Sequence, residues 1–596
     1  MKLHRLLGTT SLLAVALSLP VGAAEITKDR LINADKDANN WLMVHRTYDA
    51  HRYSPNDQIT RDNVQNLRVA FFLQFDVTTG LGRYPNARNE NTPLVEDGFM
   101  YVQPGWSKIY KVDVRDGRWG KIVWKIDPQV DRQWIVDATC CGNENRGTAL
   151  WGNDLIALTL DGRVMSINKN TGEVNWEKQR ASKDRAESFT VAPLVINDTA
   201  VYGPAGGEYG IRGWVEAINL KNGELAWRHY NIPAPGEPGN ETWKAARTWE
   251  TGGASIWQTG SYDPETNLTY WGTGNPAPQI DAEYRPGDNL YASSLLALDA
   301  GTGKMAWYFQ FTPNDPYDYD EIGEAQIVST TINGQPQKLV IRAARNGFMY
   351  GFNNANGQFI YGKQYVTDLN WTTGLDPKTG RPLNYDPAGG LQKYAPGTVG
   401  SRDKEAGIYC PTLSGGKNWQ PGSLSAKTGY LYITSSEGCS AYIPTAAPNP
   451  TITGGTYNVA TAGREWNGRN PAPADTKLPQ TFNGASVVAI DPKTGNNVAK
   501  SLLPYRGNGM LATAGGLVFT SDRGGMLYAY DDRDLKLVWS QNMGTSLASP
   551  PISYMVNGKQ YIAVETGAAP APQHIALDPA LKYFSSIDGM FVLSLN

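Results

Sequence analysis

A short motif that recurs along the chain is the feature that most constrains the fold. Each clear copy has a small or apolar pair, Asp or Asn, a short turn with Gly, and an aromatic residue at its end, and weaker copies lack one of these features. Asn-Gly and Thr-Gly dipeptides favour tight hairpin turns, so each copy predicts a strand, a turn and a second strand. The clear copies are SINKNTGEVNW (166–176), AINLKNGELAW (217–227), ALDAGTGKMAW (297–307) and GFNNANGQFIY (351–361), and the weaker ones are 112–124, 489–499 and 529–539.

The spacing of the copies predicts an all-β, eight-bladed β-propeller. Neighbouring copies are about 40–55 residues apart, the length of one four-stranded blade. Two longer gaps, 227–297 and 361–489, require insertions and at least one blade without the motif. We expect the aromatic residue that ends each copy to dock between blades. No helical period is long enough for a second domain, so residues 25–596 are predicted to form one propeller domain.

The N-terminus resembles an export signal. Lys2, His4 and Arg5 precede a mostly apolar stretch from Leu6 to Leu19, and small residues follow. This pattern predicts a signal peptide at residues 1–24 and a soluble mature chain in the periplasm. The apolar stretch is too short to span a bilayer comfortably, and no later segment is long enough to do so. The net charge of -3 and the lack of a basic patch argue against nucleic-acid binding.

Four cysteines become informative in an exported chain. A Cys410–Cys439 disulfide would close a loop of about 30 residues and stabilise the fold by roughly 3 to 4 kcal/mol. Cys140 and Cys141 are adjacent, with Cα atoms about 3.8 Å apart, below the usual disulfide range. On geometry alone, free or cross-paired thiols are the simpler interpretation. The sequence has no Cys-x-x-Cys-His, which excludes covalent c-type haem from this chain.

The segment NDPYDYDEIGE (314–324) concentrates acidic residues in a chain that is only 19% charged. Its simple interpretation is a solvated turn. The alternative is a metal site beside a reaction centre, because carboxylates are preferred ligands of hard cations. The five carboxylates are those of Asp315, Asp318, Asp320, Glu321 and Glu324.

Several segments between the repeats resemble those of quinoprotein alcohol dehydrogenases, which depend on pyrroloquinoline quinone (PQQ). The segments are TCCGNENRG (139–147), PAGGEYGIRG (204–213), ETGGASIWQTG and the residues after it (250–278), and YDYD (317–320). The repeat itself is similar to the tryptophan-docking motif of this family. Non-catalytic propellers, including bacterial outer-membrane assembly factors, resemble it equally well.

The resemblance implies how a quinone would be held. It implies a Cys140–Cys141 disulfide over one face of PQQ, with Arg146 nearby, and Trp257 stacked under the other face. Further contacts carried over from the family are Glu90, Thr190, Gly206, Gly207, Ser255, Arg345 and Asn418.

The resemblance also implies a metal site made by Glu208, Asn275, Asp318 and Asp320. Calcium members generally have a small uncharged residue where this chain has Asp320, whereas lanthanide-dependent members have Asp. The extra carboxylate favours a trivalent ion, so a lanthanide is expected and Ca²⁺ is the alternative. In an extended backbone, residues i and i+2 point the same way, so Asp318 and Asp320 can face one cavity.

The implied reaction is oxidation of an alcohol to an aldehyde or ketone. Asp318 would take the hydroxyl proton, hydride would pass to C5 of PQQ, the metal would act as a Lewis acid, and Arg345 would stabilise developing charge. Electrons would leave to a separate periplasmic cytochrome c. A homodimer, common in relatives, is a further expectation.

The chain departs from the family pattern in places. Leu547 stands where a second Trp is usually found, and segments 440–460 and 568–584 do not resemble the methanol enzymes closely. A bulkier alcohol is therefore as good a candidate as methanol. Two rival functions stay open: a non-catalytic exported scaffold, and a calcium-type quinoprotein acting on polyols, sugars or secondary alcohols.

Overall fold

Antiparallel strands are the main regular secondary structure in the computed structural model. It describes residues 24–76, 81, 88–139, 141–446, 469–478, 484–567, 575, 578–584 and 587–596. Most of the predicted signal peptide therefore lies outside the described residues. Eight sheets of four or five strands form the blades of a β-propeller, which confirms the predicted fold class.

The blades follow one another along the chain. In blades 1 to 4, 6 and 7 the first strand has only two or three residues, and the fourth strand is the most exposed, as in Lys121–Ile126. Blades 1 to 4 contain Leu94–Glu96, Phe99–Val102, Ile109–Asp113 and Lys121–Ile126; Ala149–Trp151, Asp154–Leu158, Arg163–Asn168 and Val174–Gln179; Leu194–Ile196, Thr199–Tyr202, Trp214–Asn219 and Leu225–Tyr230; and Ser261–Asp263, Leu268–Gly272, Ser294–Asp299 and Met305–Gln310.

Blades 5 to 8 follow the same plan. They contain Gln326–Ile332, Gln335–Ala343, Phe348–Asn353 and Phe359–Gln364; Ser423–Leu424, Leu431–Ser436, Ala485–Ile490 and Asn497–Leu503; Leu511–Thr513, Leu517–Ser521, Met526–Asp531 and Leu537–Asn542, with Tyr53–Ser54 added in parallel; and Ile552–Val556, Lys559–Glu565, Gly589–Leu595 and Leu67–Gln74. A separate three-stranded sheet contains Gly407–Tyr409, Ser440–Pro444 and Arg469–Pro471.

Helices are few and short. The α-helices are Lys28–Ile32 and Arg132–Ala138, and the 3₁₀ turns are Ala34–Lys36, Val64–Asn66, Gly105–Ser107, Lys183–Arg185, Gly207–Tyr209, Asn240–Thr242, Thr248–Thr251, Ala282–Tyr284 and Pro579–Tyr583. Within the described part of the chain we find no helix with the length and apolar content that a membrane span requires.

The repeated motifs of blades 1 to 5 dock each of these blades onto the next one. The aromatic residue of one copy covers the glycine of the following copy, where a Cβ atom would lie within about 3 Å of the ring. The same side chain donates a hydrogen bond to a backbone carbonyl of the next blade, which satisfies its polar atom. These bonds are Trp124 to Lys169, Trp176 to Leu220, Trp227 to Ala300, Trp307 to Asn354 and Tyr361 to Pro492.

The blade that lacks the motif is blade 8, so the expectation that such a blade lies in the gaps 227–297 and 361–489 is wrong. The construction of blade 8 explains why it has no motif. Its fourth strand is Leu67–Gln74, from the N-terminal part of the chain, which pairs with Gly589–Leu595. Third and fourth strands that are far apart in sequence cannot be joined by a hairpin, so no motif is present there. Phe71 takes the place of the docking aromatic, and its ring is 3.3 Å from a Cβ placed on Gly120 of blade 1.

The direction of the strands places two kinds of loop on one face. Because successive strands of a blade are antiparallel, the connection into the first strand and the turn between the second and third strands open at the same face. The docking motifs lie at the turns between the third and fourth strands, on the opposite face. Loops that differ between blades therefore share a face that the repeat does not constrain.

Candidate active site

A cavity of about 300 Å³ opens at the face where these variable loops meet. Predicted site residues among those that line it are Glu90, Cys141, Arg146, Thr190, Gly206, Glu208, Trp257, Asp318, Asp320, Arg345 and Asn418. Residues that the sequence reasoning did not identify also line it, namely Arg88, Thr139, Gly142, Glu144, Ser188, Ala205, Gln279, Leu413, Ser414, Trp419, Arg506 and Arg523.

The fold explains why residues so distant in sequence converge. Asp318, for example, precedes the first strand of blade 5, and Arg345 lies in the turn between the second and third strands of the same blade. Glu208 occupies the corresponding turn of blade 3. Every blade thus presents two loops to the cavity face, and seven or eight blades can contribute to one site.

The acidic segment is buried, so its interpretation as a solvated turn is wrong. Three of its carboxylates have structural partners. Asp315 accepts hydrogen bonds from the backbone N–H groups of Tyr317 and Tyr319, at 2.9 and 2.7 Å. Glu321 pairs with Arg342 at 3.1 Å, and Glu324 with Lys417 at 2.9 Å, as completely buried charges require.

The other two acids, Asp318 and Asp320, face the cavity, as predicted, but for a different reason. The segment is not a strand, and Asp318 has a left-handed φ of 66°. Alternation along an extended backbone therefore does not account for their shared direction. A non-glycine residue held in this region is sterically costly, and such strain is found at functional sites.

Arg345 neutralises part of this acidity. Its Nη2 atom lies 3.0 Å from Oδ2 of Asp320, and Nη1 donates to the backbone carbonyl of Asp318 at 2.6 Å. Burial raises the pKa of Asp320, and the nearby Arg345 guanidinium opposes that rise. The arginine is therefore placed to compensate charge at the acidic end of the cavity.

Gln279 connects two predicted metal ligands and was not identified from the sequence. Its Nε2 atom donates to Oδ1 of Asp318 at 2.9 Å and lies 3.5 Å from Oε1 of Glu208. Its position four residues after Asn275, before a long connection, gave no recognisable signal. The described residues contain no group of three His, Cys, Asp or Glu side chains already arranged around a metal ion. Arg345 and Gln279 occupy oxygen atoms that such an arrangement would use.

Asn275 lies directly behind the cavity wall and is fully buried. Its backbone N–H donates to the Asp320 carboxylate, and its Nδ2 atom donates to the carbonyl of Pro276 at 2.9 Å. Its Oδ1 atom is buried and has no hydrogen-bond partner among the described residues. A buried acceptor left in this state needs an explanation such as a bound ion.

Two glycines keep this wall thin. A Cβ atom on Gly207 would lie 2.9 Å from Oγ of Ser255 and 3.3 Å from Oδ1 of Asn275. One on Gly274 would lie 2.8 Å from Oδ1 of Asp320. Larger residues would therefore displace the oxygen atoms of the predicted metal and quinone contacts.

Two indoles face one arginine on the other side of the cavity. The guanidinium of Arg146 lies 4.9 Å from the ring centroid of Trp257 and 5.6 Å from that of Trp419. Arg146 also pairs with Glu90 at 2.7 Å. The buried Oγ1 atom of Thr190 has no partner among the described residues and is a further candidate for ligand contact. The walls are thus aromatic and polar, as a planar polar ligand requires.

The cysteines gave one confirmed prediction and one that stays a prediction. Cys410 and Cys439 form a disulfide with a sequence separation of 29. This bond anchors the segment that brings Leu413, Ser414 and Asn418 to the cavity. Cys141 lines the cavity, but Cys140 lies outside the described residues, so the vicinal disulfide is untested.

Packing accounts for Leu547, which stands near the last blade where the family usually has a second Trp. Leu547 is completely buried and belongs to the main hydrophobic core. The second indole of the cavity is instead Trp419, next to the predicted contact Asn418, and that proximity was the available signal. Most of 440–460 and part of 568–584, the segments that differ from the methanol enzymes, lie outside the described residues.

Comparisons with known proteins identify the family that the sequence motifs resemble. The family model described as "PQQ: Glucose/ethanol/alcohol dehydrogenase, beta-propeller domain" matches residues 41–366 and 503–562. Quinohemoprotein alcohol dehydrogenase ADH-IIG of Pseudomonas putida is 35% identical over 584 residues, which covers 93% of this chain and 77% of that protein. Quinoprotein alcohol dehydrogenase PedH of Pseudomonas putida is 34% identical, with 93% of this chain and 90% of that protein covered.

Two solved structures superpose on nearly the whole chain. Quinohemoprotein alcohol dehydrogenase ADHIIG from Pseudomonas putida HK5 superposes with a TM-score of 0.84 and 30% identity, covering 96% of this chain and 82% of that chain. A europium-containing methanol dehydrogenase superposes with a TM-score of 0.82 and 28% identity, covering 95% of this chain and 100% of that chain.

Proposed function

The chain belongs to the PQQ-dependent glucose/ethanol/alcohol dehydrogenase family, and from this premise we propose that it oxidises an alcohol to an aldehyde or ketone in the cavity described above. The observation that carries the proposal is the convergence of Glu208, Asp318 and Asp320 with the indole of Trp257 in one cavity. Non-catalytic scaffolding would give no reason for three buried or half-buried carboxylates to meet there.

The donor set fits a metal ion. Glu208, Asn275, Asp318 and Asp320 would supply hard oxygen ligands, and the partnerless Oδ1 atom of Asn275 would gain a partner. Binding would replace the contacts that Gln279 makes to Glu208 and Asp318.

The walls also fit a planar quinone. Trp257 would supply a stacking surface, and Cys141 lies on the same cavity. Thr190, Ser255 and Asn418 would supply hydrogen-bonding groups, and Gly206 and Gly207 allow the backbone to approach closely. The chemistry that PQQ and a metal ion supply when bound is two-electron oxidation of the alcohol carbon, assisted by Lewis-acid polarisation.

Asp318 is the proposed base. Its carboxylate faces the cavity and accepts a hydrogen bond from Gln279. It would take the hydroxyl proton of the alcohol, because a carboxylate that is held against the reacting group lowers the cost of removing that proton. Arg345, which contacts the Asp318 carbonyl and the Asp320 carboxylate, would stabilise negative charge that develops nearby.

A lanthanide is the proposed metal and Ca²⁺ is the competing one. Three carboxylates attract a trivalent ion more strongly than a divalent ion, because the attraction scales with the product of the charges. The similarity to a europium-containing methanol dehydrogenase supports this choice. Asp320 supplies the third carboxylate and would hold the metal without reacting.

Electrons are proposed to leave to a separate periplasmic cytochrome c. The sequence supports this through its export-like N-terminus and its lack of a Cys-x-x-Cys-His motif. The homodimer expected from the resemblance stays a prediction.

Reconstitution with metals tests this proposal. Purified protein is loaded with PQQ plus either La³⁺ or Ca²⁺, and dye-linked oxidation is measured across short, long and secondary alcohols. We expect La³⁺ to support turnover, and Asp320→Ala to abolish it because one of three carboxylates is lost. Asp320→Glu, which keeps the charge, is the matched variant and should retain part of the activity.

The outcomes separate the alternatives. Lanthanum activation that is unchanged in Asp320→Ala would refute the role of Asp320. Wild-type turnover with Ca²⁺ alone would favour the calcium-type enzyme. No binding of PQQ by the wild-type protein would refute the enzymatic function itself.

A further inference from the structure

The contacts of the charged side chains divide them into two groups, which we call the two ends of the cavity. At the acidic end, three carboxylates face one arginine: Glu208, Asp318 and Asp320 against Arg345. At the other end, four arginines face two carboxylates: Arg88, Arg146, Arg506 and Arg523 against Glu90 and Glu144. The second end therefore carries a formal excess of positive charge.

Only one of these four arginines is closely paired. Arg146 lies 2.7 Å from Glu90 and 3.7 Å from Glu144. Arg523 has a single longer approach, 3.5 Å to Glu90. Among the described residues, neither Arg88 nor Arg506 has a carboxylate within ion-pairing distance, and Arg506 makes one weak bond of 3.4 Å to the Ser414 carbonyl.

The arginines also lie close enough to repel one another. Burial, followed by the neighbouring charges of Arg523 and Arg345, lowers the pKa of Arg506 to about 9. Burial and then Arg88 lower the pKa of Arg523. Partly buried cations that repel each other and outnumber their anionic partners are costly to retain, so an anionic ligand would stabilise this end.

We infer that Arg88, Arg506 and Arg523 form a carboxylate-binding rim, in addition to the predicted contact Arg146. Arginine suits this role because its planar guanidinium matches the two oxygens of a carboxylate. The carboxylate has two sources in the proposed function: PQQ, which carries three, or an alcohol substrate that bears one. The inference rests on the proposed function and extends it to the ligand chemistry of this rim.

Two measurements on the same variants distinguish the sources. Arg506→Gln and Arg523→Gln remove one charge each, and Arg506→Lys keeps it. Arg163→Gln is the matched control, because Arg163 has a side-chain exposure of 18%, close to the 20% of Arg523, but pairs with Asp161 outside the cavity.

PQQ affinity is measured by quenching of tryptophan fluorescence in metal-loaded protein, at about 50 and about 300 mM NaCl. The ratio of kcat/KM for 5-hydroxypentanoate to that for 1-pentanol is measured separately.

If the rim binds the quinone, the PQQ dissociation constant should rise about 10-fold in each Gln variant and less in Arg506→Lys, with an unchanged substrate ratio. If it binds substrate, the ratio should fall about 10-fold while PQQ affinity stays constant. Both quantities within about two-fold of the wild type and of Arg163→Gln would overturn the inference. If the wild-type protein binds no PQQ, the proposed function fails as well, so the two failures are distinguishable.

Discussion

The two faces of this propeller are built from the same strands but differ in what their residues do. At the docking face, the turns between third and fourth strands repeat one contact, an aromatic ring on a glycine with a hydrogen bond to a backbone carbonyl. At the cavity face, the loops bring different side chains together, and carboxylates, arginines and indoles line one cavity.

The difference shows how stability and chemistry are separated in the molecule. Repeated docking contacts on one face hold blades 1 to 6 against one another. The opposite face can then hold costly features, such as the left-handed Asp318 and the unneutralised arginines, because the ring is already fixed. Substitutions on the two faces should therefore have different effects, and the following predictions test that separation.

The largest effect is expected for Asp318→Asn at the cavity face. Loss of the proposed base should reduce kcat/KM about 10³-fold, equivalent to about 4 kcal/mol. The melting temperature should change little, because the amide can keep the hydrogen bond with Gln279 after reorientation. Steady-state kinetics with a reconstituted sample and thermal unfolding give the two quantities.

A buried aspartate at the docking face is the control for that variant. Asp263 pairs with Lys338 and accepts from Asn354 at 2.7 Å, between blades 4 and 5. Asp263→Asn should lower stability and leave kcat of the folded protein within about two-fold of the wild type. Equal losses of kcat in both variants would contradict the separation of the two faces.

The next largest effect is expected for Trp227→Ala, at the junction of blades 3 and 4. Removing this ring from Gly303 and breaking its bond to Ala300 should lower the free energy of unfolding by about 3 kcal/mol. Denaturant unfolding measures the loss, with Trp227→Phe as the control that keeps most of the packing. A drop in kcat without a loss of stability would show that the docking face also acts on the site.

The smallest effect is expected for Lys178→Ala. Lys178 pairs with Glu224 across blades 2 and 3 at 2.8 Å, and both side chains are exposed. Screened surface pairs contribute little, so unfolding should shift by no more than about 0.5 kcal/mol. A shift as large as that of Trp227→Ala would mean that ion pairs, and not aromatic docking, hold these blades together.

The same separation explains what could be predicted from the sequence. The fold could be predicted because the motif with its glycine and aromatic residue recurs, and each copy indicates the same hairpin. Even the blade without a motif could be counted, although its use of Leu67–Gln74 could not be predicted, because strand pairing across the chain leaves no local pattern.

Residues of the cavity could be predicted only where the resemblance to the family identified them. Asp318, Asp320 and Glu208 were found in this way, and they do converge. Gln279 and Arg506 were not found, because their roles depend on which loops meet in space. The shared direction of Asp318 and Asp320 was predicted correctly from an extended backbone that the structure does not have.

The pairing of Leu67–Gln74 with Gly589–Leu595 has a consequence for folding. The four consecutive strands of each of the other seven blades lie within one stretch of the chain, whereas blade 8 needs two segments that are more than 500 residues apart. The ring therefore closes only when these two segments meet. We expect the cavity, which is lined by loops from several blades, to take up its ligand only after that closure.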